Sequence, residues 1–455
     1  MSAPSERLKK YNVPGPRYTS YPTVPYWSDS PTADQWIASI GHALDEARVR
    51  GVGAALYLHL PFCQALCTYC GCNKRITRNR AVVSPYLEAM LKEWEMYVSR
   101  LGREIQVSEI HLGGGTPTFF SPDELERLMT GILARAKLTT DHELSVEADP
   151  RVTSREHLER LAKLGFTRLS LGIQDFDLVV QEIVNRVQSP EEVRAVIEPA
   201  RELGFTSINY DLIYGLPRQT LKSVERTIEI VRQQRPDRIA FYGYAHVPWI
   251  KPSQRRFTEA DLPSGDEKRA LYERGRAILE DAGYREVGMD HFALESDSLW
   301  RASVDGSLHR NFMGYTSRQV SPLIGLGVSS IGDSWDAFAQ NEKLVETYEQ
   351  IIARGELPLI RGHRLDAEDR ILRRHILNLM TRFRTDWSAP DQKTPHLESV
   401  AERLAELSRD GLVKLHSEGV EVTEDGRPFL RNICMAFDAR LVRQAPQTQL
   451  FSQTV

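Results

Sequence analysis

The sequence predicts an α/β protein whose parallel sheet is either open or curved into a partial barrel. Strand-like segments alternate with helix-like segments between residues 55 and 246. Two of the helices also end alike, in KLGFTRLSLG and ELGFTSINYD, where Gly165 and Gly204 stand between a helix and the next strand. Because glycine ends a helix without steric cost, these two stretches look like copies of one β/α unit.

The strands are predicted from short apolar runs, at residues 55–60, 108–114, 144–149, 168–174, 207–215 and 238–246. Ser121 and Ser189 are each followed by a proline and an acidic residue, which is typical of a helix start. Thr153 with Glu156 predicts a further capping box. In folds of this kind, the chemistry lies beyond the carboxyl ends of the strands.

Three regions are expected along the chain. Residues 1–50 are rich in proline and aromatic residues, and we expect an arm and one helix that cover the active site. Residues 51–340 would form the catalytic α/β domain. The sequence pattern of residues 341–455 predicts amphipathic helices and a small hairpin with Gly419 in its turn. Helices followed by such a hairpin resemble a winged-helix arrangement. That shape often binds DNA, but the mixed charge of this region favours a lid or packing role.

The composition argues against several classes of protein. The 455 residues carry a net charge of −4, so no basic excess indicates a nucleic-acid partner. No apolar run approaches the roughly 20 residues of a membrane span, and the first residues lack the apolar core of a secretory signal. We therefore expect a cytoplasmic monomer with reduced thiols, in which clustered cysteines indicate a metal or catalytic site.

Four of the five cysteines lie in PFCQALCTYCGC, a loop that follows the first predicted strand. Structural zinc commonly uses two separated cysteine or histidine pairs, and no second pair is present. A ferredoxin-type carrier would use four cysteines on its cluster, with the fourth further along the chain. Surplus reduced cysteines would not crowd into ten positions. We favour a fourth interpretation, a four-iron cluster held by three cysteines with one iron open to a ligand.

Glycine and polar residues end the later strands. The run Gly113–Pro117 closes the second strand, and glycine allows a ligand to approach the backbone closely. A simple tight turn is the alternative, whereas a phosphate loop would need a different motif. Glu147, Gln174 and Asp211 close the next three strands, where they suit ribose hydroxyls and a positive charge. Arg186 follows in VNRVQ, and a surface charge or helix cap is the alternative for each of these residues.

The spacing C-x3-C-x2-C, with Tyr69 before the third cysteine, resembles the signature of radical S-adenosylmethionine (SAM) enzymes. In that superfamily three cysteines hold a 4Fe-4S cluster, and its open iron binds SAM. An electron from the cluster then splits SAM and releases a 5′-deoxyadenosyl radical. The resemblance implies a partial (β/α)6 barrel of the radical SAM type, with an N-terminal arm and a mainly helical C-terminal domain.

More specifically, the chain resembles the family of oxygen-independent coproporphyrinogen III oxidases of haem biosynthesis. This resemblance extends from near the N-terminus to near the C-terminus. The stretches that carry it are GPRYTSYPT (15–23), YLHLPFCQALCTYCGCNKRITR (57–78), HLGGGTPT (111–118), VEADPR (146–151), LGIQDF (171–176), NYDLIYGLPRQT (209–220), GMDHFA (288–293), HRNFMGYT (309–316) and RNICMAFD (431–438).

The resemblance implies a cluster and two neighbouring SAM molecules. Cys63, Cys67 and Cys70 would ligate the cluster, and Cys72 would match an extra family cysteine that binds no iron. The residues implied at the first SAM are Tyr57, Gly114, Glu147 and Ile331, and of these Tyr57 and Glu147 are the candidate catalytic residues. The residues implied at the second SAM are Tyr69, Gly115, Thr116, Gln174, Arg186, Asp211 and Ala245.

The family reaction turns two propionate side chains of coproporphyrinogen III into vinyl groups and gives protoporphyrinogen IX. It implies a tetrapyrrole substrate and an external electron donor such as flavodoxin or ferredoxin. A dry pocket would protect the radical, and the arm around Arg17 to Tyr21 is a candidate cover. Arg17 and Arg310 are candidate ligands for the substrate's carboxylates. Lys74 and Arg78 are predicted to face solvent.

Three alternatives remain at this point. A haem chaperone of the same superfamily would bind haem rather than oxidise a substrate, but those relatives generally lack the GPRYTSYPT arm and the fourth loop cysteine. A radical SAM enzyme that acts on another tetrapyrrole is the second alternative. A zinc- or DNA-binding regulator is the third, although it should have a basic face. Cys434, in an apolar stretch, is expected to be a buried structural thiol.

Overall fold

The computed structural model describes residues 4–444, 446 and 448–454. The helices are α1 (Pro4–Tyr11), α2 (Ala33–Val49), α3 (Val83–Leu101), α4 (Pro122–Leu133), α5 (Arg155–Lys163), α6 (Leu178–Ile183), α7 (Pro190–Glu202), α8 (Leu221–Gln234), α9 (Gly265–Asp281), α10 (Ser298–Asp305), α11 (Val345–Ala353), α12 (Ala367–Arg382), α13 (His396–Arg409), α14 (Leu430–Met435) and α15 (Ala439–Arg443). No helix in these residues is long and apolar enough to span a membrane.

The strands are β1 (Ala54–Leu60), β2 (Phe62–Cys63), β3 (Arg75–Ile76), β4 (Ile105–Gly114), β5 (Ala136–Ala148), β6 (Arg168–Gln174), β7 (Ser207–Tyr214), β8 (Arg238–Gly243), β9 (Tyr284–Gly288), β10 (His291–Leu294), β11 (His309–Asn311), β12 (Gly314–Thr316), β13 (Leu323–Leu326), β14 (Ile331–Asp333), β15 (Ala337–Asn341), β16 (Leu359–Arg364), β17 (Arg384–Asp386), β18 (Val413–His416) and β19 (Gly419–Val422). The six predicted strands are confirmed as β1, β4, β5, β6, β7 and β8. Strand β5 begins eight residues before the predicted position, because its first half is polar and partly exposed and carries no apolar run.

The chain divides into two compact units. The cysteine unit comprises Ser28–Asp211 and Val320–Arg364. The terminal unit comprises Met1–Trp27, Leu212–Gln319 and Leu365–Val455. The division falls within β7, between Asp211 and Leu212.

In the cysteine unit, the strand order is β16-β15-β14-β13-β1-β4-β5-β6-β7. Strands β13, β1, β4, β5 and β6 pair in parallel, whereas β13 to β16 pair in antiparallel succession. Strand β1 is buried along nearly its whole length, whereas β6 alternates buried and partly exposed residues. The carboxyl ends of the parallel strands meet at one edge, which is where the predicted site residues lie.

The helix ends show which of the predicted helix starts and stops are correct. Gly165 and Gly204 have φ angles of +92° and +93°, so both take the left-handed conformation predicted for the repeated β/α unit. Ser121 and Ser189 each form a capping box at the start of α4 and α7, as predicted. The capping box predicted at Thr153 is wrong. The next residue, Ser154, caps α5 instead.

The reason for this shift is a tertiary contact. The Thr153 hydroxyl donates to the carbonyl of Asp149 at 2.8 Å and contacts the Thr118 hydroxyl at 3.0 Å. It is therefore occupied away from the helix. Ser154 accepts from the backbone N–H of His157, and the His157 ring nitrogen accepts from the Ser154 N–H at 3.2 Å.

The terminal unit has its own apolar core. Tyr11, Tyr18 and Tyr21 of the N-terminal arm are buried there with apolar residues of α12, α13 and α14. The Tyr18 hydroxyl donates to Asp438 Oδ2 at 3.0 Å. The predicted hairpin is confirmed as β18 and β19, but Gly419 begins β19 rather than lying in the turn, because it pairs with His416. The arm also contains α1, a short helix that the apolar pattern did not predict.

Candidate active site

The cysteine loop is anchored at both ends. Cys63 lies in β2, which pairs in parallel with β3 so that Cys63 stands opposite Ile76. Further along, the Thr68 backbone N–H donates to the carbonyl of Val184 at 3.0 Å. The loop is thereby fixed beyond the carboxyl end of β1, where the sequence placed it.

Most of the predicted site residues meet at one cavity of about 360 Å³ in the cysteine unit. The predicted residues that line it are Cys63, Cys67, Tyr69, Cys70, Gly114, Gly115, Thr116, Glu147, Gln174, Arg186 and Asp211. Except for Arg186, which follows α6, they come from the loop after β1 and from the carboxyl-terminal parts of β4, β5, β6 and β7 or directly after them, as the strand-end rule predicts.

Three predicted residues lie outside the set that lines this cavity. Tyr57, in β1, places its hydroxyl 3.0 Å from His59 Nδ1, and its ring stacks on His111. Ile331 is the first residue of β14. Ala245 follows β8 in the terminal unit. Contacts of these three residues with SAM therefore stay predictions.

The thiols of the loop sit in different electrostatic environments. Burial raises the pKa of Cys63 to about 11, and the Thr116 hydroxyl donates to Cys63 Sγ at 3.3 Å. A hydrogen bond from Cys72 lowers the pKa of Cys70 against the effect of burial, and the charge of Lys74 lowers it further. Because the thiolate is the form that binds metals, the loop supplies both ligands and donors that stabilise their charge.

The thiols line the cavity without converging on one point. No three His, Cys, Asp or Glu side chains in the described part of the chain come together closely enough to hold a single metal ion. A four-iron cluster binds each cysteine to a different iron, so it requires three thiols around one cavity and not on one point, and all three line this cavity. Cys72 also lines the cavity, whereas Cys434 is buried in the terminal unit, as predicted.

The glycine run is required by close packing. Gly114 has φ +112°, and a Cβ there would lie 2.7 Å from the His59 ring. A Cβ on Gly115 would lie 2.5 Å from the carbonyl of Pro61, which begins the cysteine loop. The run therefore lets β4 approach the end of β1 and exposes bare backbone to the cavity. This is more than a simple tight turn.

Glu147 is only partly buried, and it is ionised. Its Oε2 accepts from the Gly114 backbone N–H at 3.0 Å, and its Oε1 lies 3.3 Å from His111 Nε2. Burial raises the pKa of Glu147, but the hydrogen bonds from His111 and Gly114 outweigh it, so the pKa lies below its ordinary value. The result is a fixed negative charge at the end of β5.

Asp211 differs from Glu147 although both line the same cavity. Burial and the nearby charge of Glu147 raise the pKa of Asp211 to about 7. Its carboxylate accepts from Asn209 Nδ2 at 2.9 Å and from the Ser170 hydroxyl at 3.4 Å. Gln174, at the end of β6, has a φ of +69°, an uncommon backbone conformation for a residue with a side chain.

Two residues missed by the sequence analysis complete one wall. Asp149 accepts from Arg186 Nη1 at 3.0 Å and from Arg151 Nη2 at 2.6 Å. Both line the cavity with Arg186. The signal was present in VEADPR, where Asp149 and Arg151 directly follow the strand that carries Glu147.

The loop lysine was also misplaced. Lys74 was predicted to face solvent, but it lines the cavity, and its Nζ donates to the carbonyl of Cys70 at 3.1 Å. The prediction is wrong because the Lys74 side chain reaches back along the loop to the backbone of Cys70, the third cysteine of the motif. Arg78 is exposed, as predicted, and lies at the rim of the cavity.

The two candidate carboxylate ligands lie in the terminal unit. Arg17 Nη2 donates to the carbonyl of Gly243 at 2.6 Å, and Nη1 lies 3.8 Å from Asp290. Arg310 is buried over the ring of Tyr315. Its Nη2 donates to the carbonyl of Arg17 at 3.4 Å, so the two arginines are neighbours.

Comparison with known proteins places this geometry in a family. The model of the radical SAM superfamily matches residues 57–231. Oxygen-independent coproporphyrinogen III oxidase from Pseudomonas aeruginosa is 41% identical over 451 residues, which cover 96% of this chain and 96% of that protein. The protein of the same name from Escherichia coli is 40% identical over 98% of this chain and 97% of its own length.

A solved structure agrees with these relatives. Coproporphyrinogen III oxidase from Escherichia coli, described as a radical SAM enzyme, matches 95% of this chain and 98% of its own chain. The TM-score is 0.88 at 40% sequence identity, which confirms the predicted α/β fold of the radical SAM type. Since the relatives match nearly end to end, the chain belongs to the family of oxygen-independent coproporphyrinogen III oxidases within the radical SAM superfamily.

Proposed function

We propose that this chain catalyses the oxidative decarboxylation of two propionate side chains of coproporphyrinogen III to vinyl groups, giving protoporphyrinogen IX. One observation carries the proposal. Three thiols and the polar ends of successive parallel strands line a single cavity, in a chain about 40% identical over nearly its whole length to enzymes of that name.

The cofactors follow from the family and from the thiols. We propose that Cys63, Cys67 and Cys70 hold a 4Fe-4S cluster and that two SAM molecules bind beside it. When bound, the cluster and SAM would supply the 5′-deoxyadenosyl radical that takes a β-hydrogen from the propionate. Loss of carbon dioxide and of one electron to an external acceptor would then leave the vinyl group. Binding of SAM and substrate, their orientation and the exclusion of water depend on the residues of the chain itself.

Several residues of the cavity are placed to bind and orient SAM. Glu147 and Asp211 offer carboxylates for ribose hydroxyls and for the sulfonium charge of SAM, while Gly114 and Gly115 offer backbone at close range. The Thr116 hydroxyl donates to Cys63 Sγ. Arg186 is held toward the cavity by Asp149 and by the carbonyl of Gly172, to which it donates at 2.6 Å, so it is oriented before any ligand arrives.

The substrate requires cations and a dry pocket. Its four carboxylates suit Arg17 and Arg310, because a guanidinium binds a carboxylate through two parallel hydrogen bonds. A dry pocket would keep water and solvent hydrogen away from the radical. Flavodoxin or ferredoxin would supply the electron to this monomeric, cytoplasmic enzyme.

The test is an anaerobic turnover assay. Protein reconstituted with iron and sulfide is incubated with coproporphyrinogen III, SAM and a reductant. We expect divinyl product, carbon dioxide and one 5′-deoxyadenosine for each carbon dioxide released. A Cys434→Ala variant should behave like the wild type, whereas Cys67→Ala should form neither product. Cleavage of SAM that leaves the tetrapyrrole intact would contradict the oxidase assignment.

A further inference from the structure

The cavity wall next to Cys67 carries more positive than negative charge. Arg186 Nη1 lies 3.6 Å from Cys67 Sγ, and Arg151 Nη2 lies 4.0 Å from the same sulfur. Asp149 is the one carboxylate that bridges the two guanidiniums. Two arginines against one aspartate leave a net charge of one positive unit beside the thiol.

The arrangement is rigid and partly shielded from solvent. Arg151 binds Asp149 through two hydrogen bonds, from Nε at 2.9 Å and from Nη2 at 2.6 Å. Asp149, Arg186 and Cys67 are all buried. Charges held in such surroundings interact more strongly than charges in water, so the positive excess acts on the sulfur with little screening.

We propose that Arg151 is a positioning residue that, with Asp149, sets the reduction potential of the cluster on Cys67. This inference rests on the proposed function, because it requires a cluster at the three thiols. Reduction adds one electron from the donor and therefore one negative charge to the cluster. A neighbouring positive charge stabilises the reduced form and makes the midpoint potential less negative.

Two substitutions change this charge in opposite directions. Arg151→Met removes one positive unit and leaves Asp149 paired with Arg186, so the midpoint potential should become more negative. Asp149→Asn removes the negative unit but keeps an oxygen that can accept from Arg151. The potential should then become less negative. General damage to the site would move both variants the same way.

The experiment is a redox titration followed by electron paramagnetic resonance, with iron content measured on each variant. We expect Arg151→Met to lower the equilibrium constant for reduction of the cluster about tenfold, which shifts the midpoint potential by about 59 mV for a one-electron couple. Asp149→Asn should raise this constant by a similar factor. Arg151→Lys, which keeps the charge, should stay close to the wild type. Arg155→Met removes an exposed arginine from α5 and should leave the potential unchanged.

The outcomes separate the two proposals. A wild-type protein that assembles no iron–sulfur cluster would overturn the proposed function and this inference with it. A normal cluster whose potential is the same in Arg151→Met and Asp149→Asn would overturn this inference alone. A shift in the same direction in both variants would also overturn it.

Discussion

The backbone N–H of Gly114 donates to Glu147 Oε2 at 3.0 Å and so ties the glycine run at the end of β4 to the carboxylate at the end of β5. His111 contacts the other carboxylate oxygen. Glu147 therefore holds a fixed orientation toward the cavity and remains charged there. This contact brings the glycine run and an acidic residue together at the predicted SAM site.

Replacing Glu147 should weaken SAM binding more than it weakens folding. Glu147→Gln keeps the shape and an acceptor for Gly114, but it removes the charge that faces SAM. Hydrogen bonds to charged groups contribute about 1.5–3 kcal/mol, so the dissociation constant for SAM should rise about tenfold to a hundredfold. Equilibrium dialysis with cluster-loaded protein measures this change.

Glu143→Gln is the matched control for Glu147. Glu143 lies on the same strand, four residues earlier, where it pairs with Arg168 outside the cavity. Its replacement should leave SAM affinity unchanged. If both variants weakened SAM binding equally, Glu147 would have no special role in the cavity.

Adding one methyl group at Gly115 should disturb the site. A Cβ there would lie 2.5 Å from the carbonyl of Pro61. Because that carbonyl is part of the backbone, it cannot move aside as the end of a flexible side chain could. Gly115→Ala should cost about 1–3 kcal/mol of folding free energy, as overpacking generally does. We expect a lower urea midpoint and weaker SAM binding.

Gly71 offers the control within the cysteine loop itself. A Cβ on Gly71 would meet nothing within 4 Å. Gly71→Ala should therefore keep the wild-type urea midpoint and SAM affinity. Equal loss in the two alanine variants would show that the close contact with Pro61 is not what makes Gly115 sensitive to substitution.

SAM affinity should depend on pH through Asp211. The pKa of Asp211 is raised to about 7 by burial and by Glu147, so below pH 7 the free protein holds this carboxyl protonated. The sulfonium cation favours the ionised form, and binding must then release a proton. SAM affinity should therefore fall as the pH drops below 7, by up to tenfold per pH unit.

Two comparisons isolate this effect between pH 6 and 8. Asp211→Asn cannot ionise, so its SAM affinity should lose this part of the pH dependence. S-adenosylhomocysteine has the same amino group as SAM but no sulfonium charge, so it should show a flatter profile with the wild type. Parallel profiles for SAM in the wild type and Asp211→Asn would count against the role of Asp211.

The five cysteines should separate into two groups. Cys63→Ala, Cys67→Ala and Cys70→Ala should each lose the broad visible absorption of the cluster. Cys72→Ala and Cys434→Ala should keep it. Iron content per chain and absorption spectra after anaerobic reconstitution provide the measurement. Full cluster content in any one of the first three variants would show that its thiol is not a ligand.

Local patterns were enough to predict much of the fold. Gly165 and Gly204 were identified because a helix that ends in the left-handed conformation favours glycine, and both positions have positive φ. Glu147, Gln174 and Asp211 were identified because polar residues close strands that are otherwise apolar. Parallel strands then brought the three side chains to one cavity.

Tertiary contacts decided what the sequence did not show. Two adjacent hydroxyls, Thr153 and Ser154, could each have capped α5, and the contact of Thr153 with Asp149 selected Ser154. The pairing of Asp149 with Arg151 and Arg186 likewise joins separate segments. The antiparallel strands β13 to β16 are three to six residues long and depend on their partners, so no local period revealed them.

The most direct measurement is the electron paramagnetic resonance spectrum of the reduced, oxygen-protected protein with and without SAM. A 4Fe-4S cluster held by three protein thiolates leaves its fourth iron without a protein ligand, so added SAM should change the spectrum of the cluster. Methionine labelled with ¹⁵N or ¹⁷O in SAM should couple to that iron. A spectrum that SAM leaves unaltered, a fourth protein sulfur on the same iron, or tetrahedral zinc in place of iron would contradict the account.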